Sequence, residues 1–235
     1  MALPVNTTRG SKISHPPHPY YPVEVEIAGY VANEKGVLEL LSIFAAGCTV
    51  LFFGTYLVSK KIHPKLPGSE VITVMWRIYT SLFEGYYALN QANLGSLQTL
   101  FGQLWKEYAF SDSRYLTQNA FVLCMESITA ICWGPGCYIV ALMIPFEHPL
   151  RHPLQIVVSL GQLYGDILYY ATSLFDHYYM GISYSRPEAY YYWGYYFLMN
   201  FFWIVIPSLL IYNSIVACAD AFKAQAKLNA SKKLR

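Results

Sequence analysis

Three acidic side chains fall where a lipid bilayer would have to hold them. Glu84, Glu126 and Asp166 each interrupt a run of mostly apolar residues long enough to span a membrane. An ionisable residue inside a span costs about 2.5–3.5 kcal/mol on insertion scales, so each calls for a reason. Two carboxyls brought together in a medium of low dielectric cannot both ionise cheaply, and one is expected to keep its proton. A protonated carboxyl beside an ionised one is a ready acid–base pair. Trp203 adds a π face able to stabilise a cation. The spacings put partners beside these groups. Glu126, Thr129 and Trp133 stand at i, i+3 and i+7, as do Asn200, Trp203 and Pro207. Gln162 and Asp166 stand four apart, as do Thr80 and Glu84. The plainer reading is that such groups only tie helices together by hydrogen bonds. It fits Gln162 and Asp166 best and fits the Glu84–Glu126 pair least.

The elements that must carry these residues follow from composition. Of the 235 residues, 55% are hydrophobic, 17% aromatic and only 13% charged. A soluble domain carries roughly 25% charged residues, so much of this surface must face lipid. Five spans are expected, over residues 37–58, 71–92, 119–143, 154–175 and 191–216, with a short helix near 100–108 in the second loop. This is an all-α integral membrane protein: a lumenal segment over 1–36, a five-transmembrane-helix bundle over 37–219 and a basic cytosolic tail over 220–235. Residues 1–36 lack the apolar core of a cleavable signal peptide, so the first helix is expected to act as the insertion signal. Arg77, about one-third into its helix, is expected to snorkel toward the cytosolic interface.

Orientation follows from the lysines and arginines. Six lie on the side of the N-terminus and nine on the side of the other loops and the tail, which puts the C-terminus in the cytosol. The final Lys232-Lys233-Leu234-Arg235 has the form of a dilysine signal for return to the endoplasmic reticulum. With alternating helix directions, Glu84, Glu126, Asp166 and Asn200 come out at one depth, about 10–13 Å from the lumenal ends of their helices. The net charge of +2 and the lack of any nucleic-acid-binding pattern exclude nucleic acid as a partner. No histidine lies deep in a span and no CxxC pair occurs, so no metal site is expected. No nucleotide or flavin motif is present, and no cofactor is expected.

At these residues the chain resembles the emopamil-binding protein family, the sterol Δ8–Δ7 isomerases. The matching strings are Phe83-Glu84-Gly85-Tyr86-Tyr87, Leu104-Trp105-Lys106-Glu107-Tyr108, Asp112-Ser113-Arg114-Tyr115, Cys124-Met125-Glu126-Ser127-Ile128-Thr129 with Trp133-Gly134-Pro135, His148-Pro149-Leu150-Arg151, Gly161-Gln162-Leu163-Tyr164-Gly165-Asp166 and Met199-Asn200-Phe201-Phe202-Trp203. They run in order over about residues 77–207, and the first 70 residues resemble the family only loosely. The resemblance implies five helices around an intramembrane ligand cavity, and a chemistry that protonates a ring double bond, holds the carbocation and removes a proton from a neighbouring carbon. It implies that Glu84, Glu126, Thr129, Asn200 and Trp203 form the catalytic set. Thr80, Tyr87, Tyr115, Trp133, Gln162 and Asp166 are expected to contact the substrate. One departure stands out: the family pattern has a histidine one turn before the second-helix glutamate, and this chain has Thr80, which cannot relay a proton as imidazole does.

Three functions follow. The first is a sterol Δ8–Δ7 isomerase with an altered relay. The second is an isomerase or cyclase of a terpenoid lipid using the same cation chemistry. The third is a non-enzymatic binder of sterols or amphiphilic amines. Cationic amphiphiles that mimic the carbocation are expected to inhibit, and a homodimer is left open.

Overall fold

The computed structural model describes residues 18–80 and 84–233. Residues 1–17 of the N-terminal segment, Phe83 of the first matched string, and the last two residues of the dilysine form lie outside the described residues. Among the described residues every regular element is helical and there is no strand. Three helical stretches are long and apolar enough to cross a membrane by length and composition: Val37–Ile62, Ala120–Met143 and Tyr191–Lys233.

The first of these is α1 (Val37–Ile62). It leaves Leu38, Val50 and Phe53 largely exposed, an outward apolar face suited to lipid rather than water. Next come α2 (Gly68–Tyr79) and α3 (Glu84–Asn90), which stand where a single span over 71–92 is expected. The short α4 (Leu100–Tyr108) lies where the sequence predicts it, started by Thr99, whose hydroxyl accepts from Gly102 N at 3.2 Å. Asn119 caps α5 (Ala120–Ile128) by accepting from Phe121 N and Val122 N at 3.1 and 3.2 Å.

Between α5 and α6 (Gly134–Met143) the chain makes a π-helical turn, Thr129–Trp133, closed by Gly134 N donating to the Thr129 carbonyl. Pro135 explains its position. It has no N–H for the carbonyl of Ile131, so regular helical bonding fails just there. Like α1, α7 (Arg151–Phe175) covers its predicted span without a break, and its Pro153 sits harmlessly in the first turn. Another π-helical stretch, Tyr191–Met199, leads into α8 (Asn200–Lys233), which continues through the tail expected to begin at residue 220.

α7 packs along α8, α2 lies between α1 and α6, and α3 packs on α5. One apolar core joins Leu66, Val71, Val74, Cys137, Val140 and Ile144. The other is aromatic and gathers Tyr20, Tyr87, Tyr115, Tyr169 and Tyr196. It ties residues 18–36 to α4 as a cap: Tyr20 stacks on Phe110 at 4.7 Å and donates to the Lys106 carbonyl at 2.9 Å. Lys106 is fully buried there, with Nζ donating to Val31 O at 2.8 Å.

Burial lowers the Lys106 ammonium from 10.5 to about 8, against a smaller opposing pull from Glu34. Between those values the unfolded chain binds more protons than the folded one, so stability rises as pH climbs from about 8 to 10.5. In detergent, the wild-type midpoint temperature should therefore gain on that of Lys106→Met across this window. A constant gap between the two proteins would show that the ammonium is not desolvated.

Arg77 corrects a sequence expectation. It does not snorkel: it is fully buried among α2, α6 and α7. Its NH1 donates to Gln162 Oε1 at 3.0 Å and its NH2 to Gln155 O at 3.4 Å and to Ser159 Oγ. Four neutral acceptors, counting Cys137 Sγ at 3.4 Å, stand in for the water an interfacial arginine would reach.

Candidate functional site

A cavity of about 460 Å³ opens among these helices, within the size range of small-ligand pockets. Its wall is formed by α1, α2, α3, α4, the α5–π turn unit, α7 and the start of α8. All five residues of the expected catalytic set, Glu84, Glu126, Thr129, Asn200 and Trp203, line it. So do Thr80, Tyr115, Gln162 and Asp166. Residues more than 100 positions apart thus meet in one chamber, because the helices carrying them pack side by side.

Glu126 is 6% exposed and accepts from the Tyr115 hydroxyl at 2.8 Å. It lies within electrostatic reach of Glu84 and Asp166, so three carboxyls share one poorly hydrated space. Thr129, one turn along, donates its hydroxyl to its own helix at Met125 O, 2.9 Å away, which leaves its oxygen lone pairs for other donors. At the start of α8, Asn200 Nδ2 donates to Tyr196 O at 2.7 Å and to Tyr108 Oη at 3.0 Å. Trp203 stands edge-on to Trp76 at 5.0 Å and beside Tyr79 at 6.2 Å. These rings present electron-rich π surface to the cavity that the carboxyls also face, an arrangement that can hold a cation away from water. Pro207, four residues on, offers no N–H to the Trp203 carbonyl.

Thr80 is buried, and its hydroxyl donates to Trp76 O at 3.0 Å or Cys137 Sγ at 3.3 Å. It is committed to its own helix and to sulfur rather than to a carboxyl.

Two expected contact residues stand elsewhere. Trp133 does not line the cavity; its indole packs onto Gly161, where a Cβ would lie 2.5 Å from the ring. The i, i+3, i+7 spacing assumes a regular helix. The π turn Thr129–Trp133 inserts an extra residue per turn and carries Trp133 off the face shared by Glu126 and Thr129. Tyr87 is fully buried behind the wall, against Trp105 at 5.2 Å and Tyr115 at 5.2 Å. It supports Tyr115 rather than facing the chamber.

Gly161→Ala should be costly, since neither the indole nor the facing helix can yield freely. A loss of about 1–3 kcal/mol is expected, read as a lower melting temperature in detergent. An unchanged melting temperature would mean that Trp133 is free to move.

Sequence reasoning missed Tyr108, which bonds Asn200 at the cavity lining, and Trp76 and Tyr79, which flank Trp203. The LWKEY string marked Tyr108 as part of a pattern, but nothing local pairs it with a residue 92 positions away.

The EBP family model, described as EXPERA (EXPanded EBP superfamily), matches residues 100–214. The chain is 34% identical to the 3-beta-hydroxysteroid-Delta(8),Delta(7)-isomerase of Cavia porcellus over 85% of its own length and 88% of that protein. It is 35% identical to the protein of the same name from Rattus norvegicus over 88% of its length and 90% of the other. It is 30% identical to protoglabretal synthase of Citrus sinensis over 68% of its length and 76% of that protein.

Proposed function

The chain belongs to the EBP family of the EXPERA superfamily, and from that premise we propose that it is an isomerase moving a sterol double bond from Δ8 to Δ7 inside the membrane. The observation that carries this is the meeting of Glu84 and Glu126 in one cavity walled by Trp203. A carboxylic acid gives its proton to C9 of the C8=C9 bond, leaving a cation at C8. The other carboxylate takes a proton from C7, and the C7–H pair becomes the C7=C8 bond. One proton enters and one leaves, with no change of oxidation state. Trp203 and its neighbouring rings stabilise the cation, and Asn200 and Thr129 orient the carboxyl groups and ligand around it. Five spans around the cavity, an endoplasmic reticulum location and a cytosolic C-terminus complete the proposal. The bundle of α1, α2–α3, α5–α6, α7 and α8 supports it.

A second reading has its own observation. Thr80 takes the place of the family histidine and has its hydroxyl turned to Cys137, and one relative is a protoglabretal synthase. A terpenoid ligand whose cation rearranges or closes a ring would need the same carboxyls and aromatic wall.

The test is a membrane assay in a host lacking its own Δ8 isomerase, run in deuterated water with a Δ8 sterol. A Δ7 product carrying deuterium establishes the first reading. No conversion by folded protein, which still binds cationic amphiphiles in competition with sterol, moves the assignment to the second.

A further inference from the structure

Arg77 is a fixed positive charge buried behind the wall of a largely apolar chamber, and no carboxylate among the described residues forms an ion pair with it. Its NH1 is committed to Gln162 Oε1 at 3.0 Å. A guanidinium only donates, so this contact fixes which end of the Gln162 carboxamide is oxygen and which is nitrogen. Gln162 Nε2 then has two hydrogens, of which one goes to Cys137 Sγ at 3.4 Å. The second is left for whatever occupies the cavity that Gln162 lines. One turn along the same face, Asp166 is 7% exposed, also lines the cavity, and has Oδ2 buried without a hydrogen-bond partner. A buried polar atom left unpaired is unfavourable, and a ligand group that hydrogen-bonds to it relieves that cost.

We propose that Arg77 is a positioning residue that locks Gln162 with its N–H toward the cavity, so that Gln162 and Asp166 together bind a hydroxyl group of the substrate. A hydroxyl both accepts and donates. It can take the Gln162 N–H while giving its own hydrogen to an ionised Asp166 or accepting one from a protonated Asp166. The pair therefore selects an oxygen-bearing ring system over a bare hydrocarbon. Carbonyl and ether oxygens, which only accept, would satisfy one member of the pair when Asp166 is ionised.

The choice of ligand rests on the isomerase reading, so binding and turnover are measured separately, with a Δ8 sterol and its 3-deoxy counterpart. Wild-type protein in detergent should bind the hydroxylated lipid at least about tenfold more tightly. Arg77→Met should reduce that preference to about threefold or less, chiefly through KM rather than kcat, with Arg77→Lys restoring part of it. Gln162→Glu keeps a partner for Arg77, and hence the fold, while replacing the donor with an acceptor; it should lose the preference as well. Should Arg77→Met fail to fold, Gln162→Glu decides. Equal binding of the two lipids by a wild-type protein that isomerises both would overturn the hydroxyl site and leave the isomerase reading standing. Preference in binding without turnover of either lipid would uphold the site and sink that reading. Full preference retained in folded Arg77→Met would remove Arg77 from the account.

Discussion

Replacing Glu126 with glutamine should lower the rate of double-bond migration by about 10²–10⁴-fold while leaving the protein folded, the loss typical of a missing general acid or base. The amide has nearly the shape of the carboxyl, and its oxygen can still accept from the Tyr115 hydroxyl that now lies 2.8 Å from Oε1. What it cannot do is give or take the proton. Glu84→Gln should fall in the same range, because a proton must enter the ligand at one carboxyl and leave at another. Tyr115→Phe makes the informative contrast. It removes one hydrogen bond to a charged or potentially charged group, worth about 1.5–3 kcal/mol, and should cost roughly 10–100-fold without abolishing exchange. The measurement is deuterium incorporation into product in membranes, normalised to folded protein. Glu126→Gln retaining more than about a tenth of the wild-type rate would take Glu126 out of the proton path.

How far this site could be read from the chain depends on which distances are local. The Glu126–Thr129 and Gln162–Asp166 pairs follow from helical spacing, and both pairs line the cavity. Trp133 was misplaced because the period itself changes at Thr129–Trp133, where Pro135 withholds a donor. That signal was present in the sequence as a proline, but its consequence was a rotation of the helix face rather than a break. Arg77 was misjudged for another reason. Snorkelling is the default for a lone arginine in a span, and only packing could supply Ser159, Gln155 and Gln162 from α7 in place of water. The aromatic floor of Trp76, Tyr79 and Trp203 likewise joins residues from opposite ends of the chain, beyond the reach of any spacing rule.

Arg114→Met should destabilise the protein by about 3–5 kcal/mol, the largest stability effect expected of any single change outside the helices. Arg114 and Asp112 are both essentially unexposed, with NH2 and Oδ2 2.6 Å apart. Burial works against the Arg114 charge, but the charge and hydrogen bonds of Asp112 outweigh it, and the guanidinium pKa lies above its ordinary value. The same guanidinium donates to Thr172 Oγ1 at 2.9 Å and Tyr169 O at 3.3 Å, and lies 4.8 Å over the Tyr169 ring. It therefore pins the 3₁₀ turn Ser113–Tyr115 to α7. Methionine would leave Asp112 buried with its carboxylate uncompensated, and would free the next residue, Tyr115, from the register that brings its hydroxyl to Glu126. Stability and catalysis should fall together, whereas Tyr115→Phe should spare stability. The double variant Asp112→Leu/Arg114→Met removes both charges and should recover much of the melting temperature, because a buried pair is dear to break and cheap to replace. It should not recover activity, since the tether to α7 is still gone. Recovery of both in the double variant would show that the pair balances its own charges and does not position Tyr115.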